Sequence, residues 1–281
     1  MSEQQKILPR DIKQVWQVQS QRISSIHSNG FVLEPGHWRE FDPFLMLAED
    51  WFQKGSFDVH PHRGIETVTY VIEGKLEHFD NKGGKDHLLP GDVQWMTAGR
   101  GVVHLEDPAE GETVHSLQLW INLPSEQKLC EPRYQNLRSQ DMPVRREEGA
   151  VIRIFSGSSA GVGSNTKNVV PVTMVELLLE PGATVVQDLP GSYQGFIYVL
   201  EGQGTFGYKN TAGGKGEVLW LGSADGNENS EVKIVAREKL RALLYAGEPL
   251  REPVVARGPF VMNTEEQIIQ AYQDFREGKF N

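Results

Sequence analysis

Two short segments of this sequence carry residues that could bind a metal ion. His60-Pro61-His62 and His104-Leu105-Glu106 each place two such residues at positions i and i+2. Side chains on a β-strand alternate between its two faces, so residues at this spacing point the same way. If the segments form neighbouring strands, three imidazoles and one carboxylate meet in one pocket. These groups are suitable ligands for divalent iron, manganese, nickel or zinc, and four of them leave positions on a six-coordinate ion for water, substrate or dioxygen.

The residues around these segments favour strand ends. Pro61 has no backbone N–H, and proline in sheets is confined to edges, strand starts and bulges. Gly99-Arg100-Gly101 precedes the second segment and predicts a turn that leads into a new strand. The alternative is that the four polar residues are unrelated, because a single H-x-H pair often arises by chance. Arg63 and Arg100 flank the two pairs, and either could pair with Glu66 or with an anionic ligand. We expect a structural salt bridge.

The composition is that of a soluble globular protein. The 281 residues are enough for one large domain or two of ordinary size. A net charge of -10 without a basic block argues against direct binding to nucleic acid. The single cysteine, Cys130, allows no intramolecular disulfide, and the sequence contains no apolar leader and no stretch that would span a membrane. We therefore expect a cytoplasmic protein without membrane contacts.

Short alternating segments separated by glycine turns predict an all-β fold. Residues 67–72 predict a strand, 73–75 a turn and 76–79 the returning strand, while 93–96 and 115–123 alternate in the same way. Many short strands with regularly spaced turns are typical of a sandwich or barrel. The sequence also repeats itself. Residues 70–74 (YVIEG) recur as 198–202 (YVLEG), and 91–96 (GDVQWM) recur as 216–221 (GEVLWL), which favours two barrels of one kind over chance similarity.

The second copy does not preserve the metal-binding residues. At the offset of the first repeat, Asp188 and Pro190 stand where the first copy has its H-x-H pair. At the offset of the second repeat, Asn229 and Glu231 replace the other pair. All eight histidines lie within residues 27–115, so a histidine-rich metal site is excluded from the second half. We expect the second barrel to be structural or regulatory.

We predict three parts along the chain. They are an N-terminal metal-binding barrel in 1–132, a polar linker with a short helix in 133–149, and a degenerate barrel followed by a C-terminal helix in 150–281. For that helix, Asn263 stands three residues before Glu266, close to a capping box, and Gly278 is expected to end it. Apolar residues then recur at helical spacing and are expected to pack on one of the barrels: Ile268, Ile269, Tyr272 and Phe275.

Longer motifs resemble the pirin family of the cupin superfamily. They are residues 42–45 (DPFL), 60–68 (HPHRGIETV), 90–101 (PGDVQWMTAGRG), 115–120 (HSLQLW), 247–253 (GEPLREP) and 258–264 (GPFVMNT). The resemblance covers most of the chain, and the QWMTAGRG run is specific. It implies a bicupin, in which two antiparallel β-barrels face each other and the N-terminal one holds iron.

Carried over by position, the family's metal ligands are His60, His62, His104 and Glu106, the residues that the spacing had selected. Glu66 stands where many cupins have a glutamate ligand, but in pirins this position resembles a residue that supports the ligands. The cofactor implied is one divalent metal ion, Fe(II) by the resemblance, while the ligand types alone also allow Mn, Ni, Cu or Zn.

The resemblance implies two kinds of function. Some pirins are similar to quercetin 2,3-dioxygenases, which open the central ring of a flavonol with dioxygen. If this chain is such an enzyme, Glu106 would act as the general base. The protein would bind a small aromatic substrate and dioxygen. Candidates for the substrate pocket are Phe44, Trp95 and Gln118, although such aromatic residues more often fill cores.

Other pirins resemble nuclear co-regulators that respond to the oxidation state of iron. In that case the chain would be a non-enzymatic iron-binding redox sensor, and its acidic charge favours a protein partner over DNA. A third alternative is a barrel that a metal ion stabilises without any chemistry. We favour a monomer in each case.

Overall fold

The computed structural model describes residues 7–81, 84–224 and 229–280. The first thirteen strands are β1 Leu8–Arg10, β2 Ile12–Gln17, β3 Ser20–Arg22, β4 His27–Leu33, β5 Phe44–Gln53, β6 His60–His62, β7 Ile65–Glu73, β8 Leu76–Asp80, β9 Lys85–Leu88, β10 Val93–Thr97, β11 Val102–Pro108, β12 Thr113–Asn122 and β13 Arg133–Leu137. The others are β14 Val144–Glu147, β15 Ala150–Ser156, β16 Ser158–Ser159, β17 Val162–Gly163, β18 Val172–Leu179, β19 Thr184–Pro190, β20 Gln194–Glu201, β21 Gln203–Phe206, β22 Thr211–Gly214, β23 Glu217–Leu221, β24 Asn229–Ala236, β25 Leu240–Gly247, β26 Val255–Arg257 and β27 Phe260–Met262. The helices are α1 Trp38–Phe41, the 3-10 helix Ser125–Gln127 and α2 Glu265–Arg276.

The predicted all-β fold with a C-terminal helix is confirmed. No helix in the described part of the chain combines the length and hydrophobicity that a membrane span needs.

The chain divides into two compact units, each built around its own barrel. The first barrel comprises 19–141, 167–170 and 250–281, and the second comprises 142–166 and 171–249 with the described residues of 1–18. The predicted domain boundaries at 133–149 stay a prediction. The compact units are not continuous stretches of sequence, because each includes residues from a distant part of the chain. The short helix predicted within 133–149 is wrong, because these residues, all of them described, supply β13 and β14 instead.

The two barrels share one strand order. The seven-stranded sheet of the first barrel runs β13-β10-β7-β12-β5-β4-β3, and that of the second runs β2-β23-β20-β25-β18-β15-β14. The repeated YVIEG and YVLEG segments end β7 and β20, which hold equivalent positions in the two orders. The first barrel is completed by the sheet β6-β11-β8-β9, and the second by β1-β24-β21-β22 with β19 on β24. The matching order supports the duplication inferred from the sequence.

The interiors of the two barrels differ in polarity. Fully buried apolar side chains from both sheets fill the second barrel, among them Ile152, Val175, Ile197, Leu219, Val232 and Leu244. Burying each such side chain contributes about 1.5–3 kcal/mol. In the first barrel, β7 and β12 instead turn Thr69 and Gln118 inward. The second barrel therefore has a packed apolar core where the first has polar groups around a cavity.

The C-terminal helix begins one residue later than predicted. Thr264, not Asn263, is the N-cap, and Gln267 rather than Glu266 completes the capping box. The backbone N–H of Gln267 donates to the Thr264 hydroxyl at 3.3 Å, and the Gln267 side chain accepts from the Thr264 N–H at 3.2 Å. The helix ends before Gly278, whose φ of 72° suits glycine, so the predicted stop is confirmed.

The apolar face of α2 packs on the first barrel through fewer residues than predicted. Ile268 and Ala271 are buried in a cluster with Phe260, Met262 and Phe280. Ile269, by contrast, is 63% exposed, because it lies one residue round the helix from the buried face. The predicted packing is therefore confirmed for only part of the stripe.

An ion pair connects α2 to the segment that carries the first histidine pair. Arg63, directly after β6, donates to Asp274 of α2 at 2.9 Å and to the carbonyl oxygen of Arg100 at 2.6 Å. Its guanidinium also lies over the ring of Phe280, 4.5 Å from the centroid. Arg100 forms its own pair with Glu131 at the surface. A structural ion pair is therefore confirmed for each arginine, but the partners are Asp274 and Glu131 and not Glu66.

We expect the Arg63–Asp274 pair to make stability depend on acid pH. The hydrogen bond from Arg63, helped by Gln270 and Lys279, lowers the pKa of Asp274 from 3.8 to about 2. Because this pKa is lower in the folded than in the unfolded state, the stabilisation is complete above the unfolded pKa and is lost as the pH falls towards 2. Urea unfolding of the wild type and Asp274→Asn should give free energies that converge between about pH 5 and pH 2. A difference that stays constant over this range would contradict the prediction.

Candidate metal centre

The pairing of β6 with β11 brings three of the four predicted ligands together. The two strands are antiparallel, with His104 directly opposite His60. The ligand nitrogens of His60, His62 and His104 lie within 4.8 Å of one another, and Nε2 of His60 is 3.1 Å from Nε2 of His104. A carbonyl oxygen only accepts hydrogen bonds, so the 2.8 Å contact with the Asp58 carbonyl makes Nδ1 of His60 the donor. Its Nε2 is then left with the lone pair that a metal ion needs.

The burial of this cluster suits a metal ion. Among the described residues, no hydrogen bond of ordinary geometry reaches either ring nitrogen of His62 or Nδ1 of His104, although the backbone of Pro259 interacts with His62. Leaving a buried polar group unpaired costs about 1–3 kcal/mol, which a metal ion would offset. Burial and the neighbouring His60 lower the pKa of His62 to about 3, and burial also lowers the pKa of His104 well below 6.5. Both rings are therefore neutral, the form that binds a divalent ion.

Glu106 lies beside the three histidines but outside their closest group. It follows His104 by two residues on β11 and lines the same cavity as two of the histidines. Thr69 Oγ1 donates to its Oε1 at 2.9 Å, and Gln118 Nε2 donates to its Oε2 at 2.7 Å. These two donors come from β7 and β12, in the other sheet of the barrel, and together they fix the direction of the carboxylate.

The cluster opens into a cavity of about 300 Å³ within the first barrel. Alternate residues of the seven-stranded sheet form much of its wall, as expected for side chains that share one face. The apolar wall residues include Phe31, Met46, Ala48, Phe52, Phe57, Leu76 and Trp120. Beyond the histidine cluster and Glu106, the polar ones are His27, Asn29, Asp50, Thr69, Ser116 and Gln118. A largely apolar cavity with a few placed polar groups is typical of a small-molecule site.

The structure separates the three residues predicted for the substrate pocket. Gln118 lines the cavity, but its amide donates to the carboxylate described above. Phe44 and Trp95 are completely buried and lie outside the cavity wall. Trp95 is opposite Val68 in the sheet, so it faces away from the side on which Thr69 lies. The two aromatic residues therefore belong to the core and not to the pocket.

Glu66 is buried on the far face of β7 from the cavity. Thr97 Oγ1 donates to its carboxylate at 2.7 Å, and the backbone N–H of Val169 donates at 3.2 Å. Burial raises the pKa of this carboxyl. In the described part of the chain its hydrogen bonds do not reach the four predicted ligands, so the supporting role implied by the resemblance stays a prediction.

Sequence reasoning missed three neighbours of the cluster. Thr69 orients the carboxylate on β11, and Trp120 packs edge-on against His62 with ring centroids 5.0 Å apart. His78 on β8 is buried, with its ring centre 5.4 Å from that of His104. For Thr69 and His78 a signal was available. Each is a polar residue at an inward strand position, where alternation normally places an apolar one.

Comparison with known proteins agrees with this architecture. The family model described as Pirin matches residues 27–121, and the model of the Pirin C-terminal cupin domain matches 174–281. A pirin-like protein from Solanum lycopersicum is 44% identical over 243 residues, which cover 86% of this chain and 82% of the relative. A solved structure from Geobacillus kaustophilus is 65% identical, covers 89% of this chain and 100% of its own, and has a TM-score of 0.87. A solved structure of a quercetin 2,3-dioxygenase from Acinetobacter baumannii is 30% identical and has a TM-score of 0.86. The match covers 97% of this chain and 99% of the dioxygenase chain.

Proposed function

This chain belongs to the pirin family, and from that premise we propose that it is a metal-dependent dioxygenase that opens the central ring of a flavonol such as quercetin. The observation that carries the proposal is the buried three-histidine cluster at the wall of a cavity of about 300 Å³. A cavity of this size is within the range that binds small molecules. The similarity to a quercetin 2,3-dioxygenase supports the same class of oxidoreductase reaction.

We propose His60, His62, His104 and Glu106 as the ligands of one divalent ion, with iron preferred. Three neutral imidazoles and one carboxylate are a donor set that manganese, nickel, copper or zinc also accepts. When bound, the ion would act as a Lewis acid towards the flavonol hydroxyl and support the redox chemistry with dioxygen. The unpaired nitrogens of His62 and His104 support this assignment, because each needs a partner in the barrel interior.

Glu106 is proposed as the group that takes the proton of the flavonol hydroxyl. Thr69 and Gln118 each donate one hydrogen bond to it, which uses only part of the acceptor capacity of a carboxylate. A general base must lie within hydrogen-bond reach of the proton it removes, and Glu106 faces the cavity in which the substrate would bind. Gln118 is then a positioning residue, since it acts through the carboxylate.

The apolar walls favour a flat aromatic ligand. Phe31, Phe52 and Trp120 present ring surface to the cavity, and aromatic rings gain from packing against one another. Trp120 also covers one side of His62. Excluding water in this way strengthens the electrostatic interactions between the ligand and the polar groups at the cluster.

The test is an aerobic assay of purified, iron-loaded protein with quercetin, in which the loss of flavonol absorbance is followed. A variant with His60→Ala and His62→Ala should lose both turnover and bound iron. His115→Leu is the matched control, because His115 pairs with Glu49 at 2.8 Å outside the cavity, and it should keep both properties. Stoichiometric iron without turnover would contradict the dioxygenase and favour a non-enzymatic iron sensor that binds a protein partner.

A further inference from the structure

We propose that His27 and Asp50 form a second binding position in the cavity. It lies apart from the histidine cluster and binds a hydroxyl group of the substrate. The inference rests on the proposed flavonol substrate and adds a specificity-determining contact to it. His27 Nε2 and Asp50 Oδ1 are 2.7 Å apart, and both residues line the cavity. Their side chains are only 11% and 10% exposed, so this is an interior pair and not a surface one.

The strand register separates this pair from the histidines but not from Glu106, because Gln118, which donates to Glu106, lies opposite Ala48, two residues from Asp50. Trp120, which packs against the cluster, lies opposite Met46 on β5. Asp50 is four residues further along the same strand, about 13 Å at the usual rise per residue. Asn29 on β4 and Ser116 on β12 lie directly opposite Asp50 and also line the cavity. The row between Trp120 and Asp50 contains the apolar Ala48 and Phe31 but also the polar Gln118 and Thr69, while the histidines belong to the other sheet of the barrel.

The pair has hydrogen-bonding capacity that the protein does not use. In the described structure its contact occupies Nε2 of His27 and Oδ1 of Asp50, and no hydrogen bond reaches Nδ1 or Oδ2. The rings of Phe52 and Phe57 enclose His27, with centroids 6.3 Å and 5.0 Å from its own. A carboxylate that is only 10% exposed is stabilised by further donors. A phenolic hydroxyl of the ligand supplies one.

The charge of the pair determines which ligands fit. A neutral aromatic molecule with hydroxyl groups at both ends places one near the histidine cluster and donates the other to Asp50. A carboxylate or phosphate at that end would meet the negative charge of Asp50 within a low-dielectric cavity and be repelled. The pair therefore selects neutral polyhydroxylated flavonols over aromatic acids.

The chain contains a second buried histidine–carboxylate pair, which lies on the face of the sheet opposite to the cavity. His115 Nε2 and Glu49 Oε1 are 2.8 Å apart, and their side chains are 14% and 8% exposed. Glu49 precedes Asp50 on β5, so the two carboxylates point to opposite faces of the sheet. Neither His115 nor Glu49 lines the cavity. Substitutions in this pair control for the loss of a buried histidine–carboxylate contact.

The test measures ligand affinity in zinc-loaded protein, because zinc has no redox chemistry and so separates binding from turnover. Quenching of protein fluorescence gives Kd for quercetin and for 3-hydroxyflavone, which lacks the hydroxyl groups of the two outer rings. Asp50→Leu and His27→Phe should each weaken quercetin binding by about tenfold, as expected for a lost hydrogen bond to a charged group, and change 3-hydroxyflavone binding by less than about twofold. Glu49→Leu and His115→Phe should alter neither affinity.

The outcomes distinguish this inference from the proposed function. An equal loss for both flavonols in Asp50→Leu and His27→Phe would overturn the inference, because the pair would then only maintain the shape of the cavity. Unchanged affinity for both flavonols, or no binding of either by the wild type, would overturn it as well. A selective loss of quercetin binding in a protein whose iron form has no turnover would support the second binding position and reject the dioxygenase.

Discussion

Replacing His62 by leucine is expected to abolish metal binding and to stabilise the metal-free protein. The ring is 1% exposed, and among the described residues no hydrogen bond of ordinary geometry reaches either nitrogen, although the backbone of Pro259 interacts with the ring. Leucine has a similar volume and no polar atom, so the free energy of unfolding without metal should rise by about 1–3 kcal/mol. Metal affinity should fall by more than about 100-fold, since even groups that only orient a ligand contribute 10- to 100-fold.

Two measurements on the same variant check this prediction. Urea unfolding in the presence of a chelator gives the stability, and titration with iron or zinc gives the affinity. His115→Leu is the control, because His115 is paired with Glu49 and stacked on Trp51 with ring centroids 4.4 Å apart. It should lose stability and keep its metal affinity. Wild-type metal affinity in His62→Leu would refute His62 as a ligand, and a less stable metal-free form would refute the argument from its unpaired nitrogens.

Replacing Arg63 by alanine should lower the free energy of unfolding by about 3 kcal/mol, the low end of the range for removing one partner of a buried ion pair. The side chains of Arg63 and Asp274 are 7% and 15% exposed, and Gln270 and Lys279 would still donate to the remaining carboxylate, which is why the low end of the range applies. The change also removes the hydrogen bond to the Arg100 carbonyl and the contact with Phe280. Because Arg63 directly follows His62, metal affinity should fall too.

The matched control is Arg100→Ala. Arg100 pairs with Glu131 at a similar distance of 2.9 Å, but the two side chains are 50% and 74% exposed. Removing an exposed pair of this kind should change stability by less than about 1 kcal/mol. Chemical unfolding of Arg63→Ala, Asp274→Ala and the double variant would give the coupling energy of the buried pair. Equal losses in the two arginine variants would contradict the special role of Arg63 in holding α2.

The segments His60–His62 and His104–Glu106 illustrate what a sequence can predict. Their i, i+2 spacing requires only the alternation of side chains along a strand, and the structure pairs β6 with β11, which was the condition for the two segments to meet. The donors to Glu106 could not be predicted in the same way. Thr69 and Gln118 belong to the other sheet of the barrel, so their approach depends on how two sheets face each other and not on any local pattern.

The side of the sheet on which Trp95 lies could not be predicted for a different reason. All five residues of β10 are buried, so the strand offers no contrast between a polar and an apolar face. Only the register, in which Trp95 lies opposite Val68, shows which way its side chain points. The helix cap at Thr264 was missed by one residue because Asn263 and Thr264 are both good capping residues and both precede acidic side chains.

Each barrel is completed by residues from the far end of the sequence. β2 belongs to the second barrel although it precedes the whole first barrel in the chain, while β27 and α2 belong to the first although they follow the second. During synthesis the ribosome must therefore release residues 260–280 before the first barrel can pack Phe260 and Ile268. Such long-range closure slows folding, because the chain loses entropy before the new contacts form. The barrel whose histidines are made first is thus finished last, and stable metal loading should follow the synthesis of nearly the entire chain.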